Sequence, residues 1–258
     1  MISTEQMADP LFPIQLSTMF LNKGSPVSFE ASLKPVLNMG ENADFNIFPH
    51  LLKVVITESL EFSQRLRMVD PWNQICTEEA SSIHAYTKQH GPYYALNKIM
   101  REGNIALLKN FVDYIWLMMN CLSKCPKPEY TTIYRGVPED LSADYAIGHD
   151  YIWTYFSSCS LGLGPLQTPM FVGNRGQRTL FIIYLKSNRA RSIAFLSASE
   201  GEKEVLLPPN TRLKVIDIAD FGHGLRQIIL KELPCQNPIL TFPDEASPLQ
   251  TGERSIVS

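Results

Sequence analysis

The stretch GEKEVLLPP, residues Gly201–Pro209, places two carboxylates two positions apart, just before an apolar run that is typical of a β-strand. Alternate side chains of a strand share one face, so Glu202 and Glu204 point the same way, with Cα atoms about 6.5–7 Å apart. Two carboxylates this close raise each other's cost of ionising, which suits a site that meets a cation or a developing positive charge. The spacing alone, however, favours a solvated strand edge on which Lys203 separates two acids.

Length and composition limit the classes of protein that fit. The chain has 258 residues, of which 45% are hydrophobic and 19% charged, enough for one large domain or a catalytic domain with a smaller attachment. The net charge of −3 indicates no general affinity for nucleic acid. The N-terminus MISTEQMADPLF lacks the features of a Sec-type signal, and the apolar stretch FVDYIWLMMNCL is too short to span a bilayer. We therefore expect a soluble monomer with neither a nucleic-acid nor a membrane partner.

Five cysteines are scattered along the chain, at positions 76, 121, 125, 159 and 235. An odd and irregular set argues against a disulfide framework. A zinc site would need further ligands at recognisable spacing, and the five histidines do not supply them. We expect reduced cysteines packed in a core, and no metal.

The predicted secondary structure changes from helices to strands at about residue 128. Before it, apolar residues recur at helical spacing in four segments: 50–69, 77–87, 93–103 and 104–125. Thr77 is the expected N-cap of the second. Short β-rich segments follow, and helices followed by strands predict an α+β fold. We predict a helical N-terminal segment over 1–76 that contributes to target recognition, a catalytic core over 77–240 and a flexible tail over 241–258.

Several common catalytic fingerprints are missing. The sequence has no GxGxxG after a strand, no GxxxxGK[ST], no HExxH and no GxSxG. Rossmann-type dinucleotide binding, P-loop, zincin and α/β-hydrolase activities therefore have no support.

Two β-rich segments upstream of the carboxylates carry polar residues. TTIYRGV places Arg135 beside Gly136, which lets a ligand come close, and YIWTYFSSCSL carries Ser157, Ser158 and Ser160. Taken singly, Arg135 is explained as a surface arginine before a turn, and the serines are explained as turn caps.

Taken in order, these motifs resemble the mono-ADP-ribosyltransferases of the Arg-Ser-Glu branch, which contains vertebrate ecto-enzymes and arginine-modifying bacterial toxins. The Y-R-G arginine is Arg135, the S-x-S motif is 158–160 and the E-x-E motif is 202–204. The upstream segment YYALNKIMR, 93–101, is similar to the branch's Y-x-x-I-N-x-x-L-R, and the resemblance covers about 80–235. The middle of S-x-S is usually Thr; here it is Cys159, which alternates to the other face and is expected to pack.

The resemblance implies a split, twisted, mainly antiparallel β-sheet that holds NAD, a substrate, in a cleft. Arg135 would bind the NAD phosphates, for which its planar and permanently charged fork is suited. The backbone of Gly136 would bind the nicotinamide amide, and Asn97 and Arg101 would add contacts to the phosphates.

The resemblance also assigns roles to the acids. Ser158 would hold the rotamer of Glu204, which would bind the ribose 2′-hydroxyl and stabilise the oxocarbenium-like cation formed as nicotinamide leaves. Glu202 would orient an acceptor arginine and take its proton, because E-x-E accompanies arginine acceptors in the family. Phe171, in the loop after the Ser motif, is the candidate to stack on the nicotinamide.

Three further residues have two explanations each. Arg175 or Arg178 could reach a phosphate or lie in a solvated loop, and Ser197 could belong to the site or pin a turn.

The expected activity is transfer of ADP-ribose from NAD to an arginine of a target protein, with release of nicotinamide. Two alternatives stay open. One is an NAD glycohydrolase, in which water replaces the acceptor; the other is an inactive relative acting as a binding module, against which intact Arg135, Ser158 and Glu204 argue. Without a Sec-type signal or a disulfide pattern, we expect a secreted effector that acts in the cytosol of a target cell, with a cytoplasmic enzyme as the alternative.

Overall fold

The computed structural model describes residues 27–67, 74–164, 166, 175–199 and 203–244. These residues fall into two compact units. The helical unit contains 27–67, 74–125 and 193–199, and the sheet unit contains 126–164, 166, 175–192 and 203–244. The domain boundaries predicted from the sequence, after residues 76 and 240, stay predictions.

The helical unit is built from helices that the apolar spacing largely predicts. Its described helices are α1 (Phe29–Leu37), α2 (Pro49–Arg67), α3 (Thr77–Thr87), α4 (Tyr93–Arg101), α5 (Ile105–Leu108) and α6 (Val112–Lys124). The continuous helix predicted over 104–125 is wrong in one respect, because a 3-10 turn at Lys109–Phe111 separates α5 from α6.

The start of α3 differs from the prediction. The N-cap is Cys76, not Thr77, and the Glu79 carboxylate accepts a hydrogen bond from the Cys76 backbone N–H at 3.0 Å. The same carboxylate pairs with Lys124, whose Nζ lies 2.6 Å from Glu79 Oε1. A glutamate at the third helical position can close the cap from inside the helix, so no oxygen-bearing side chain is needed at the cap itself.

The apolar helical segment Ile105–Lys124 is long and apolar enough to cross a membrane by length and composition. It is longer than FVDYIWLMMNCL, the apolar stretch that the sequence analysis judged too short to span a bilayer. However, 56% of it is buried within the chain, and Phe111, Tyr114 and Met118 are fully buried. Burial of this extent is typical of a core helix, and the absence of a membrane partner stays a prediction.

The sheet unit contains, among its described residues, eight strands in one sheet. They are β1 (Thr132–Val137), β2 (Asp150–Trp153), β3 (Ser157–Ser160), β4 (Arg178–Tyr184), β5 (Arg191–Ser192), β6 (Glu204–Leu207), β7 (Thr211–Asp220) and β8 (Leu225–Glu232). The order of the strands across the sheet is β2-β7-β8-β4-β1-β3-β6-β5. Strands β4 and β8 are parallel to each other, and every other pair of neighbouring strands in this order is antiparallel. Helices followed by a mainly antiparallel sheet confirm the predicted α+β fold.

The join between β1 and β3 is narrow. Their register includes one described pair, Tyr134 opposite Ser160, whereas β1 and β4 pair over six positions. The sheet is therefore split into a five-strand part and a three-strand part. The core lies on the face that carries Phe181 and Ile183, where Trp153 meets Phe181 edge-on at 5.4 Å between ring centroids.

The last described residues pack against β5. Phe242 is 1% exposed, and the guanidinium groups of Arg189 and Arg191 lie 5.3 and 4.9 Å from its ring centroid. Asp244 pairs with Arg191 through both carboxylate oxygens, and this hydrogen bonding holds the pKa of Asp244 below its usual value. These contacts hold β5 in place beside β6. Residues 245–258 of the predicted tail lie outside the described residues.

Candidate active site

Three adjacent strands bring together the motifs that are far apart in the sequence. Arg135 lies on β1, the Ser motif lies on β3 and Glu204 begins β6, and β1-β3-β6 are neighbours in the sheet. The register sets Ser160 opposite Glu204 and Ser158 opposite Leu206. The hydrogen-bonded ladder therefore fixes the relative positions of these residues before any ligand binds.

Arg135 is half-buried and points its guanidinium toward the Ser motif. Its Nη1 donates to the backbone carbonyl oxygen of Ser158 at 3.0 Å. A charge-assisted hydrogen bond of this kind fixes the orientation of the guanidinium fork. Gly136 follows it, buried in the ladder opposite Leu180.

The backbone of Glu204 is held by the strand ladder. Its residue is 9% exposed, it pairs with Ser160, and the carbonyl of the preceding Lys203 accepts the Leu161 N–H at 3.1 Å. Side chains directly opposite in an antiparallel pair share a face and lie about 4.5–5.5 Å apart at Cβ, whereas diagonal ones are about 7–8 Å apart. Ser160 therefore faces Glu204 directly and Ser158 diagonally.

Ser160 is not among the site residues predicted from the sequence. It is 5% exposed, and its hydroxyl accepts the Gly162 N–H at 3.2 Å, which leaves the hydroxyl proton available for a carboxylate. The S-x-S pattern could have indicated it, since both serines share one face; only the register shows which one is opposite Glu204. The hydrogen bond predicted between Ser158 and Glu204 stays a prediction.

Cys159 lies on the opposite face of β3, as the alternation predicts. It is 4% exposed, pairs with Val205 and belongs to the hydrophobic core. Burial raises the pKa of its thiol to about 12, while the charge of Arg135 lowers this pKa and that of Glu204 raises it. The thiol itself packs and is not a nucleophile.

The loop arginines have different settings. Arg178 is 7% exposed, and its Nη1 donates to the carbonyl oxygens of Gly176 and His223, at 2.8 Å each. Its contacts therefore fit a residue that joins two turns better than one that binds a phosphate. Arg175 is exposed. Phe171 and Glu202 lie outside the described residues.

Asn97 and Arg101 lie four residues apart on α4 of the helical unit, so they share a helix face. Asn97 Nδ2 donates to the Tyr86 hydroxyl at 2.8 Å, which fixes the amide. Arg101 is half-buried at the last turn. Their predicted contacts with NAD stay predictions.

The segment 193–199, which precedes the E-x-E motif, belongs to the helical unit. The Leu196 carbonyl oxygen lies 3.0 Å from His84 Nδ1, and the Ala198 N–H donates to Thr87 Oγ1 at 2.8 Å. Ser197 Oγ accepts the Ser199 N–H at 3.1 Å, so this serine pins a turn.

Within the described part of the chain, no group of three or more His, Cys, Asp or Glu side chains is placed to hold a metal ion. The expectation that the protein uses no metal stays a prediction.

A family model for NAD:arginine ADP-ribosyltransferases matches residues 30–236. This match covers most of the chain, and the chain belongs to that family. The arrangement of Arg135, the Ser motif and Glu204 on neighbouring strands agrees with the family resemblance of the sequence.

Named relatives come from bacteria. The NAD(+)–protein-arginine ADP-ribosyltransferase Tre1 of Serratia proteamaculans is 30% identical over 159 residues, which is 61% of this chain and 32% of that protein. Tre1 of Pseudomonas putida is 28% identical over 164 residues, covering 61% and 29% of the two chains. This chain therefore spans about a third of the length of the curated relatives it matches.

Solved structures share the fold. The type III effector XopAI of Xanthomonas axonopodis pv. citri has a TM-score of 0.59 at 15% identity, with 82% of this chain and 90% of that chain covered. The eukaryotic mono-ADP-ribosyltransferase ART2.2 has a TM-score of 0.59 at 18% identity, with 81% and 88% covered. At such low identity, these matches support the fold.

Proposed function

We propose that the protein transfers a single ADP-ribose from NAD to an arginine of a target protein and releases nicotinamide. The observation that carries the proposal is the placement of Arg135, the Ser motif and Glu204 on three adjacent strands, in a chain of the NAD:arginine ADP-ribosyltransferase family. Family membership and the names of the Tre1 relatives support arginine as the acceptor.

In the proposed binding mode, the sheet unit holds the reacting half of NAD. Arg135 pairs with the NAD phosphates through its planar, permanently charged guanidinium group. Gly136 presents its backbone to the nicotinamide amide, and Phe171 stacks on the ring. The helix motif supports phosphate contacts by Asn97 and Arg101.

Glu204 carries the bond-breaking step in this proposal. The bond between the ribose C1′ and the nicotinamide nitrogen breaks, and its electron pair leaves with the neutral nicotinamide. The positive charge that was on the ring moves to an oxocarbenium-like ribose, and the Glu204 carboxylate, bound to the 2′-hydroxyl, stabilises that charge. Ser158 and Ser160 share its face and hold its orientation.

Glu202 carries the acceptor step. A guanidinium nitrogen forms a bond to C1′ and loses one proton to the Glu202 carboxylate, which a charged arginine needs because its pKa in water is above about 12. The products are ADP-ribosylarginine, nicotinamide and one proton. We propose on this basis that the chain belongs to the Arg-Ser-Glu branch of the family.

The partner we propose is a protein with an accessible acceptor arginine, met in the cytosol of a target cell. The effector XopAI supports this setting through the shared fold. The segment 1–76 is proposed to contribute to target choice.

The test uses labelled NAD with wild type and Glu204→Ala in a eukaryotic cell lysate, together with nicotinamide release in the presence and absence of agmatine. Arginine transfer predicts labelled protein, present with wild type alone and resistant to mild neutral hydroxylamine, unlike carboxylate esters. NAD consumption without any labelled acceptor would instead identify a glycohydrolase. The absence of both protein labelling and NAD consumption would identify a binding module. Either the glycohydrolase result or the binding-module result would overturn the proposal.

A further inference from the structure

The candidate active site lies across the narrow join between the two parts of the sheet. Arg135 is on β1 of the five-strand part, whereas Glu204 is on β6 of the three-strand part. The described register at the join holds one residue pair, and Arg135 Nη1 adds a bond to the Ser158 carbonyl oxygen at 3.0 Å. Because the join is this narrow, other contacts between the two parts help to fix Glu204 relative to Arg135.

The segment 233–244 connects the two parts within the sheet unit. It follows β8 of the five-strand part, and the Leu233 N–H donates to the Arg212 carbonyl oxygen on β7 at 2.8 Å. It next meets the turn between β6 and β7, where Asn210 Nδ2 donates to the Asn237 carbonyl oxygen at 3.0 Å. Its last residues lie beside β5, the strand at the end of the three-strand part. The segment therefore contacts both parts of the split sheet.

The Asp244 carboxylate pairs with two cations that belong to different parts of the sheet. Arg191, on β5, donates to both carboxylate oxygens, and the distance from its Nη1 to Oδ2 is 3.1 Å. Lys127, which precedes β1, has its Nζ 3.3 Å from the same Oδ2. Arg191 is 2% exposed, and a buried ion pair is strongly destabilised when one partner is removed. The carboxylate therefore ties β5 to the chain that leads into β1.

The loop before β5 is bound by backbone groups as well. Glu232, at the end of β8, accepts the Ser187 N–H at 2.9 Å. Asn188 Nδ2 donates to the backbone carbonyl oxygen of Asp244 at 3.0 Å. These contacts do not use the Asp244 side chain, so they stay in place when the carboxylate is replaced. A change at this side chain therefore tests the two ion pairs separately from the path of the segment.

We propose that Asp244 is a positioning residue for NAD cleavage, acting through Arg191 and Lys127 on the placement of the three-strand part beside β1. The inference rests on the proposed function, in which Arg135 binds the NAD phosphates and Glu204 stabilises the developing cation. The Asp244 carboxylate touches no substrate in this scheme. Its loss leaves the strand register unchanged but lets the three-strand part move about the join. NAD then still binds, and the acid is correctly placed in fewer of the bound complexes.

The experiment compares Asp244→Ala with the conservative variant Asp244→Glu and with Asp150→Ala as the matched control. Asp150 has the same 32% side-chain exposure as Asp244, and its pair with Arg212 at 2.7 Å joins β2 to β7 inside the five-strand part. Nicotinamide release gives kcat and KM for NAD. Asp244→Ala should lower kcat about tenfold with KM within about threefold of wild type, and Asp244→Glu should regain most of the kcat. Asp150→Ala should change neither constant.

Hydrogen exchange supplies a readout that a general loss of stability would not reproduce. Asp244→Ala should speed amide exchange in β5 and β6 at least about threefold more than in β7 and β8. Asp150→Ala should leave β5 and β6 at their wild-type rates. If Asp244→Ala does not fold, Asp244→Asn replaces it, because the amide keeps the size of the side chain and one oxygen that can accept from Arg191.

Each result decides for or against the inference. A fall in kcat with little change in KM, regained by Asp244→Glu and accompanied by faster exchange in β5 and β6, supports it. An unchanged kcat, an equal fall for Asp150→Ala, no recovery with glutamate, or uniformly faster exchange would overturn it. Wild type that releases no nicotinamide would instead overturn the proposed function, and hydrogen exchange would still show whether Asp244 holds the three-strand part.

Discussion

The sheet unit and the helical unit place functional groups by different means. In the sheet unit, the register of β1, β3 and β6 sets the positions of Arg135 and Glu204, and the ladder hydrogen bonds are made by the backbone. In the helical unit, the side chains of His84 and Thr87 hold a segment that has no ladder of its own. The first region keeps its register when a side chain changes, whereas the second loses its contacts.

This difference separates chemistry from positioning. Substitution of a sheet residue removes a charge or a donor from a site whose backbone stays in place. Substitution of His84 or Thr87 by an apolar residue leaves the charges of the sheet unit present but removes a hydrogen bond that holds the segment 193–199. Substitutions in the sheet site should therefore change the rate of NAD cleavage, whereas substitutions of His84 or Thr87 should change the stability of the helical unit.

The largest effect is expected for Glu204→Gln. The amide keeps the size of the side chain and loses the charge that stabilises the developing cation, so NAD cleavage should fall by at least about 10²–10³-fold. Nicotinamide release measures this directly, and thermal unfolding should show little change because the backbone holds this position. Glu129→Gln is the control, since Glu129 is an exposed acid whose ion pair with Lys203 at 3.7 Å contributes little. Equal rates of NAD cleavage for Glu204→Gln and Glu129→Gln would show that the sheet unit does not supply the charge that cleaves NAD.

A smaller effect should distinguish the two serines that share a face with Glu204. The register sets Ser160 directly opposite Glu204 and Ser158 diagonal to it. If cross-strand distance decides which hydroxyl holds the carboxylate, Ser160→Ala should lower kcat for NAD cleavage by about tenfold and exceed the effect of Ser158→Ala. The reverse order would support the role predicted for Ser158 from the sequence motif. Either result sharpens how the sheet unit fixes its acid.

The sequence predicts which residues of the strand motifs share a face, because side chains alternate between the two faces of a strand with a period of two residues. That period alone predicts that Glu202 shares a face with Glu204, and that Cys159 turns away from Ser158 and packs. The sequence does not predict the register between β3 and β6, because the pairing of Ser160 with Glu204 depends on loops that place two distant strands side by side. Sequence order likewise gives no sign that His84 meets Leu196, since a buried histidine on an apolar face looks the same whatever its partner.

The acidic range offers a test of the helical unit. Burial lowers the pKa of His84; the hydrogen bond to the Leu196 carbonyl opposes this, Lys88 and Arg65 lower the pKa further and Glu58 raises it. Because the folded pKa lies below the unfolded value of about 6.5, the stability contributed by neutral His84 is complete above that pH and is lost as the pH falls through the folded pKa.

Wild type should therefore lose melting temperature more steeply than His84→Asn below about pH 6.5, by on the order of a few degrees. Scanning calorimetry from pH 8 to pH 4.5 measures the difference. His50→Asn serves as the control, because His50 is exposed in the same unit. If the melting temperatures of wild type and His84→Asn fell in parallel with pH, protonation of the His84 ring would not destabilise the folded protein.

The smallest effect on activity is expected at Cys159, which lies on the Ser-motif strand but packs in the core on its other face and takes no part in the chemistry. With a thiol pKa of about 12, only about one molecule in ten thousand carries the thiolate at pH 8, and the side chain is buried. Iodoacetamide at pH 8 should therefore leave Cys159 unmodified in the native protein and modify it in guanidinium chloride, while the exposed Cys76 reacts in both. Cys159→Thr should keep NAD cleavage within about twofold, since it changes a packed side chain and not a reacting one. Rapid native alkylation of Cys159, read by mass spectrometry, would mean that the three-strand part of the sheet opens in solution, and the ladder would then not fix the site as firmly as the side-chain anchors fix the segment in the helical unit.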